Sequence, residues 1–231
     1  MPSIIDLALP ISDRTDPILV PNTRSGGVAL NGLEQVVSAT TAIWKWPSIS
    51  VPINTVGRAR TWRAVNAKLE GRFNYLRLRI CDQYRIGRQA VGAVYNGNEV
   101  PHSDETLFSD GTGYKLAQPR APILGAKARG STTVRIAASN LNGGMSAGVF
   151  FSINDYLYVV TDWELAGTAE EFIDISFKPP LRVAATEDDE VDFDATSIWV
   201  LDTDDIGKMA LRLGRFGQVE LSLTEALGRS E

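Results

Sequence analysis

Apolar and polar residues alternate along most of this chain with a period of two, which is the signature of strands with one buried face. Residues 33–56 are rich in Val, Thr, Ile and Trp, and Trp44 and Trp46 flank Lys45 in the alternation a pleated strand imposes. Pro47 and Pro52 punctuate this segment. Before it, Ser3 to Leu9 forms a short apolar run that suits a strand or an arm. Pro10, Pro17 and Pro21 then keep the chain extended. Ser25-Gly26-Gly27 reads as a turn. A single segment switches to helical spacing. Over residues 61–70, Trp62, Val65 and Leu69 recur on one face, Thr61 suits an N-cap, and Gly71 suits the residue that ends a helix. Phe73, Tyr75, Leu76, Leu78 and Ile80 return to strand, with Arg72, Arg77 and Arg79 interleaved.

Residues 96–122 read as a long loop, because Asn96-Gly97-Asn98, Ser109-Asp110-Gly111, Pro101, Pro119 and Pro122 all break regular structure. Loops of this length are usually functional or mobile. The block 124–183 predicts short strands with frequent turns: Thr132 to Ile136, Gly148 to Ile153, Tyr156 to Thr161 and Phe172 to Phe177. Asn142-Gly143-Gly144 and Asn154-Asp155 serve as turns, and Lys178-Pro179-Pro180 stops the last strand. This is the texture of a small barrel or sandwich. Ser197 to Leu201 and Gln218 to Leu223 close the chain as strands. No repeat of 20–50 residues is visible.

Composition narrows the picture. With 231 residues, 44% apolar and 22% charged, the chain is neither disordered, collagen-like nor a coiled coil. No apolar run approaches the roughly 18 residues a membrane helix needs. Met1 to Pro10 lacks the basic region of a standard signal peptide. One cysteine, Cys81, excludes an intramolecular disulfide, and with His102 as the one histidine the composition argues against a Cys/His zinc site. A Ser–His–Asp or Cys–His arrangement would have to run through His102, which has no nucleophile-elbow sequence near it.

The net charge of −5 conceals a gradient: +6 over residues 1–90, −2 over 91–167 and −9 over 168–231. Two independently solvated faces are the simpler reading. The alternative is a pair of surfaces that meet between neighbouring subunits. The acidic run Glu187-Asp188-Asp189-Glu190, with Asp192 and Asp194, supplies oxygen ligands but lacks the spacing and glycine of a calcium loop, so it reads as a solvated loop. His102, Asp104 and Asp110 form a second polar cluster, in which Asp and Ser beside Gly are ordinary turn-formers. Arg58, Arg60, Arg63, Lys68, Arg72, Arg77 and Arg79 interleave with Trp62, Phe73 and Tyr75, a mixture that can bind nucleic acid. The aromatics fall at core-facing positions and the chain is acidic overall, which favours a subunit surface instead. No Gly-rich phosphate loop is present.

An ordered set of segments resembles the distal tail proteins of long-tailed bacteriophages and prophages. Arg60 to Asn74 looks like that family's Trp–helix–Leu-x-Gly-Arg–aromatic element. Val100 to Asp104 and Phe108 to Tyr114 look like its Ser/Asp/Gly loop, and Met145 to Ile153 is similar to its Gly-x-x-Phe-Ser-Ile strand. Tyr156 to Val160, Phe177 to Arg182 and the close Gly217 to Ala226 follow in order. The acidic segments 187–194 and 201–207 depart from the family pattern.

The resemblance implies a tube-like β-sandwich with one flanking helix, built from residues 1–90 and 196–231. An OB- or galectin-like barrel, residues 91–195, would be inserted into it. It further implies a structural, non-enzymatic virion protein with no cofactor or metal, assembled in the bacterial host cytoplasm and placed at the tail tip. Six copies would form a head-to-tail ring that joins the tail tube protein to the hub and other baseplate proteins. DNA would pass through without specific binding, and no membrane would be engaged. On this reading Arg58, Arg60, Arg63, Arg72, Arg77 and Arg79 face subunit contacts, with Asp188, Asp189 and Glu190 as their acidic counterpart, and Asp and Glu dominate the lumen. A carbohydrate-binding β-sandwich using an exposed Trp163 or Trp199 is the main rival. A two-carboxylate glycosidase and a DNA-binding protein come after it.

Overall fold

The computed structural model describes residues 2–28, 30–32, 34–80, 82, 99–100, 114–115, 119–137, 141, 145–167, 171–212 and 216–228. Strands dominate, and one helix occurs among these residues, as the alternation predicts. In chain order the first half contains β1 (Ile4–Asp6), β2 (Asp13–Arg14), β3 (Ile18–Val28), β4 (Glu34–Ile53), α1 (Val56–Leu69), β5 (Tyr75–Arg79), β6 (Glu99–Val100) and β7 (Tyr114–Lys115). There follow β8 (Arg120–Pro122), β9 (Thr133–Ala137), β10 (Phe150–Ile153), β11 (Tyr156–Ala166) and β12 (Phe172–Lys178). The last are β13 (Glu190–Asp192), β14 (Thr196–Leu201), β15 (Met209–Arg212) and β16 (Phe216–Glu225). The chain divides into two compact units, 1–78 with 197–231, and 79–196.

The first unit is organised by an eight-stranded sheet. Its main order is β1-β5-β14-β16-β4-β2, with β15 also paired to β16 and β3 to β4. β1 and β5 are parallel, and the other pairs are antiparallel. Alternation sets the register: Val51↔Val219 and Ile49↔Leu221 pair buried side chains on one face, and Leu223 pairs with Trp46. Trp46 also meets Trp199 of β14 at 5.3 Å between ring centroids. Helix α1 contributes Trp62, Val65 and Leu69 to the core, the positions its spacing predicts. The Trp62 Nε1–H donates to the Gly207 carbonyl at 3.0 Å, which satisfies the one polar group that burying this ring removes from water.

Two local readings are corrected. The helix starts at Val56, not Thr61, and its N-cap is Thr55, whose hydroxyl accepts from the Arg58 N–H at 3.2 Å. It ends as the sequence suggests, with Glu70 and Gly71 both at positive φ. Ser25-Gly26-Gly27 is not a reversal but lies inside β3. The register shifts between Ser25 and Val28, and Gly27 takes φ 88°, so these glycines accommodate an irregularity within a long hairpin.

The second unit is a six-stranded antiparallel sheet ordered β8-β13-β10-β11-β12-β9. An isolated bridge between Ile123 and Ile136, and a Leu124 N–H bond to the Arg135 carbonyl at 2.8 Å, bring the two ends of that order together. Inward positions fill the core with Val134, Ile136, Phe151, Tyr158, Ile175, Phe177 and Phe193. Phe151 lies 5.4 Å from Tyr158 and 5.5 Å from Phe177, with the latter edge-on. The Asn154-Asp155 turn occurs where predicted, both residues at positive φ, between β10 and β11. β11 runs on to Ala166, five residues beyond the predicted stop, because Phe172 to Lys178 of β12 pairs along its length.

Candidate functional site

Helix α1 carries Arg58, Arg60, Arg63 and Lys68 and not one acidic residue. Trp62, Val65 and Leu69 point to the core, so the helical period turns Arg60, Arg63, Ala64 and Ala67 to the opposite side, where all four are exposed. Arg60 and Arg63 form no ion pair with a described residue. Arg58 donates to the Asn54 side chain at 2.7 Å.

Arg72, Arg77 and Arg79 each meet an acidic residue of the same chain, Arg72 through its backbone and the other two through their side chains. The Arg72 backbone N–H donates to Asp204 Oδ1 at 3.0 Å, which ties the end of the helix to the β14–β15 turn. Arg77 lies 3.6 Å from Asp6, across the parallel β1–β5 pair in which these residues are in register. Arg79 grips Asp194 in bidentate fashion, with Nε 2.7 Å from Oδ1 and Nη2 on Oδ2. Thus one arginine and one carboxylate of the two opposite-charge stretches meet in a single chain.

The acidic segment shapes an open polar cleft of about 320 Å³ in the second unit, lined by Arg120, Asn154, Asp155, Asp188, Asp189 and Thr196 among others. Four of its carboxylates are engaged, the first being Asp155, which accepts from the Thr196 hydroxyl at 2.6 Å. Asp189 Oδ2 accepts from the Thr186 N–H at 2.7 Å and from the Thr186 hydroxyl at 3.1 Å. Burial pushes the Asp189 carboxyl up. The bonds from the Thr186 backbone and from the Asn154 and Thr186 side chains outweigh it and hold the group below the usual carboxylate range. Glu190 lies 3.7 Å and Asp192 3.0 Å from the Arg120 guanidinium. Burial raises the Asp192 carboxyl, and the Asp194 N–H and Arg120 offset this only in part. Asp188 and Glu187 are exposed and make no ion pair with a described residue.

None of the described residues that line the cleft is aromatic, so none offers a platform for a sugar ring. Trp199, offered above as an exposed glycan contact, is wholly buried beside Trp46, and Trp163 is half-buried against the core of the second unit. No group of three or more His, Cys, Asp or Glu among the described residues could hold a metal ion. Cys81 and the cluster His102, Asp104, Asp110 lie outside the described residues, as does most of the 96–122 segment. No described helix is long and apolar enough to cross a membrane.

Sequence reasoning missed one prominent feature. The hairpin of β3 and β4 is exposed on both faces over most of residues 20–38. The signal was present: a long Val/Thr/Ser stretch with only Arg24 and Glu34 charged between Ile18 and Ile43. Comparison of the chain with protein-family models and with curated proteins finds no match to either.

Proposed function

We propose that this chain is a structural, non-enzymatic ring protein of a bacteriophage tail tip, a distal tail protein that links the tail tube to the hub and receptor-binding apparatus. The observation that carries the reading is the outer face of α1. Arg60 and Arg63 are exposed on a helix with no acidic residue and form no ion pair with a described residue, in a chain whose net charge is −5. Such a face suits an acidic partner surface, and the chain provides one in Glu187 and Asp188. Opposite surfaces on one molecule make a head-to-tail contact, and head-to-tail contacts close into rings when the rotation permits. Arg60 and Arg63 carry the contact on one side. Arg58, Arg72, Arg77 and Arg79, with Asp189 and Glu190, shape the two surfaces around it.

The ring would be a hexamer, with the first unit forming its wall. DNA would move through a lumen dominated by Asp and Glu, since phosphate contacts from Lys and Arg would slow its passage. The test is the solution mass of the purified protein by light scattering across concentration and salt, followed by negative-stain imaging. A six-fold mass that falls as salt rises, and a large loss of assembly in Arg60→Glu/Arg63→Glu, is the expected outcome. A strict monomer retained on immobilised glycans would replace this reading with a carbohydrate-binding module.

A further inference from the structure

Adjacent residues on a strand point to opposite faces of the sheet. Val36 and Val37 of β4 are adjacent, and they are 57% and 58% exposed. Both faces of the hairpin are therefore uncovered there. On β3 every residue from Val20 to Val28 is exposed, and Leu30 in the connecting turn is fully so. The eleven residues of β3 extend roughly 36 Å at about 3.3 Å each. Among the described strands β3 pairs along that length with β4 alone, which leaves the N–H and C=O groups of its other edge open to a partner strand. Nature normally blunts such edges with charge, proline or brevity. Here, apart from Pro21 near its base, the arm is long and carries one positive and one negative residue, Arg24 and Glu34.

We propose that the β3–β4 arm seats on a second copy of this chain. Two features select that occupant. First, the arm between Ile18 and Ile43 has no net charge, so nothing on it would attract nucleic acid or an anionic lipid surface, whereas Val20, Val28, Leu30, Val36 and Val37 suit a neutral apolar protein surface. A run of this size also supplies the roughly 20–30 residues per side of a standard interface. Second, the same sheet has a free edge at its other end. Among the described strands β1 pairs only with β5, and its Ile4 is 44% exposed. A sheet with an open arm at one end and an open edge at the other matches itself head to tail, with main-chain bonds providing the affinity. The proposal deepens the ring reading and rests on it for the number of copies.

The test uses the full chain with a photo-crosslinking phenylalanine analogue in place of Val37, together with the variant Val36→Lys/Val37→Lys. Both positions are exposed, so the double variant is expected to keep the wild-type circular dichroism and thermal midpoint. Irradiation is expected to join two copies covalently, and the double variant to need at least ten-fold more protein to reach the wild-type mass. Three results would overturn the proposal: adducts confined within one chain, a double variant that assembles like wild type, or a monomer whose arm binds neutral phosphatidylcholine vesicles instead. The two readings separate cleanly. A six-fold mass that survives the lysines keeps the ring and rejects the arm. A two-fold mass with inter-copy adducts keeps the arm and rejects the ring.

Discussion

At Asp192 burial and charge pull in opposite directions. Its carboxylate accepts from the Asp194 N–H at 2.8 Å and faces Arg120, yet burial raises its pKa above the ordinary value near 3.9. The folded protein therefore binds more protons than the unfolded chain as pH rises through the ordinary value toward the raised one, and Asp192 costs stability across that window. Asp192→Asn keeps an acceptor for the Asp194 N–H. It is expected to retain or raise the thermal midpoint at pH 7 and to flatten the decline on going from pH 4 to pH 7 in calorimetric scans. Asp174 has the opposite sign. The Arg135 guanidinium, its cross-strand partner at 2.7 Å, lowers its pKa, so its contribution is present above the ordinary value and lost as pH falls through the depressed one. Gly207 is a steric case. A Cβ there would lie 2.9 Å from the Trp62 ring at φ 90°, so Gly207→Ala is expected to cost roughly 1–3 kcal/mol in denaturant unfolding. No sequence pattern marks Gly207, because its partner ring is 145 residues away.

At the scale of elements, α1 separates what periodicity can see from what it cannot. Its core positions Trp62, Val65 and Leu69 are legible because they repeat at helical spacing and are buried. Its first turn, from Val56 to Arg60, has no buried residue, so nothing apolar marks its beginning. Cap chemistry decides the start. Thr55→Ala is expected to cost about 1 kcal/mol, whereas Thr61→Ala, inside the helix, should stay within about 0.5 kcal/mol. Urea melts of the two variants discriminate the two starts. The β3–β4 hairpin is the converse case. Its strand character is plain in the Val and Thr content, but the Gly26-Gly27 pair imitates a reversal that the structure places at residues 30–32.

At the scale of the whole molecule, charge is the organising quantity. The basic first third and the acidic last third touch at one ion pair, Arg79 with Asp194, and Arg120 of the middle stretch lies between Glu190 and Asp192. Among the described residues, Arg60 and Arg63 on α1 and Glu187 and Asp188 on the acidic segment are exposed charges without an ion pair. Raising salt from 50 to 500 mM is expected to lower the assembled mass measured by light scattering. Asp188→Lys should weaken assembly, and pairing it with Arg63→Glu should restore part of the loss, as a charge swap across one contact requires.

The sequence by itself determined the strand-rich class, the single helix and the inward residues of most strands, because each depends on spacing among neighbours. The tertiary structure decided which carboxylate meets which arginine, which tryptophan is hidden and which hairpin stands free. Those outcomes depend on residues far apart in the chain. Trp199 and Trp163 read alike in sequence, and only the packing of Trp46 against one of them tells the buried ring from the half-buried one. Val36 and Val37 fall in the segment 33–56 that reads as strand. In the folded chain both are exposed, on an arm where β4 pairs with β3 alone among the described strands.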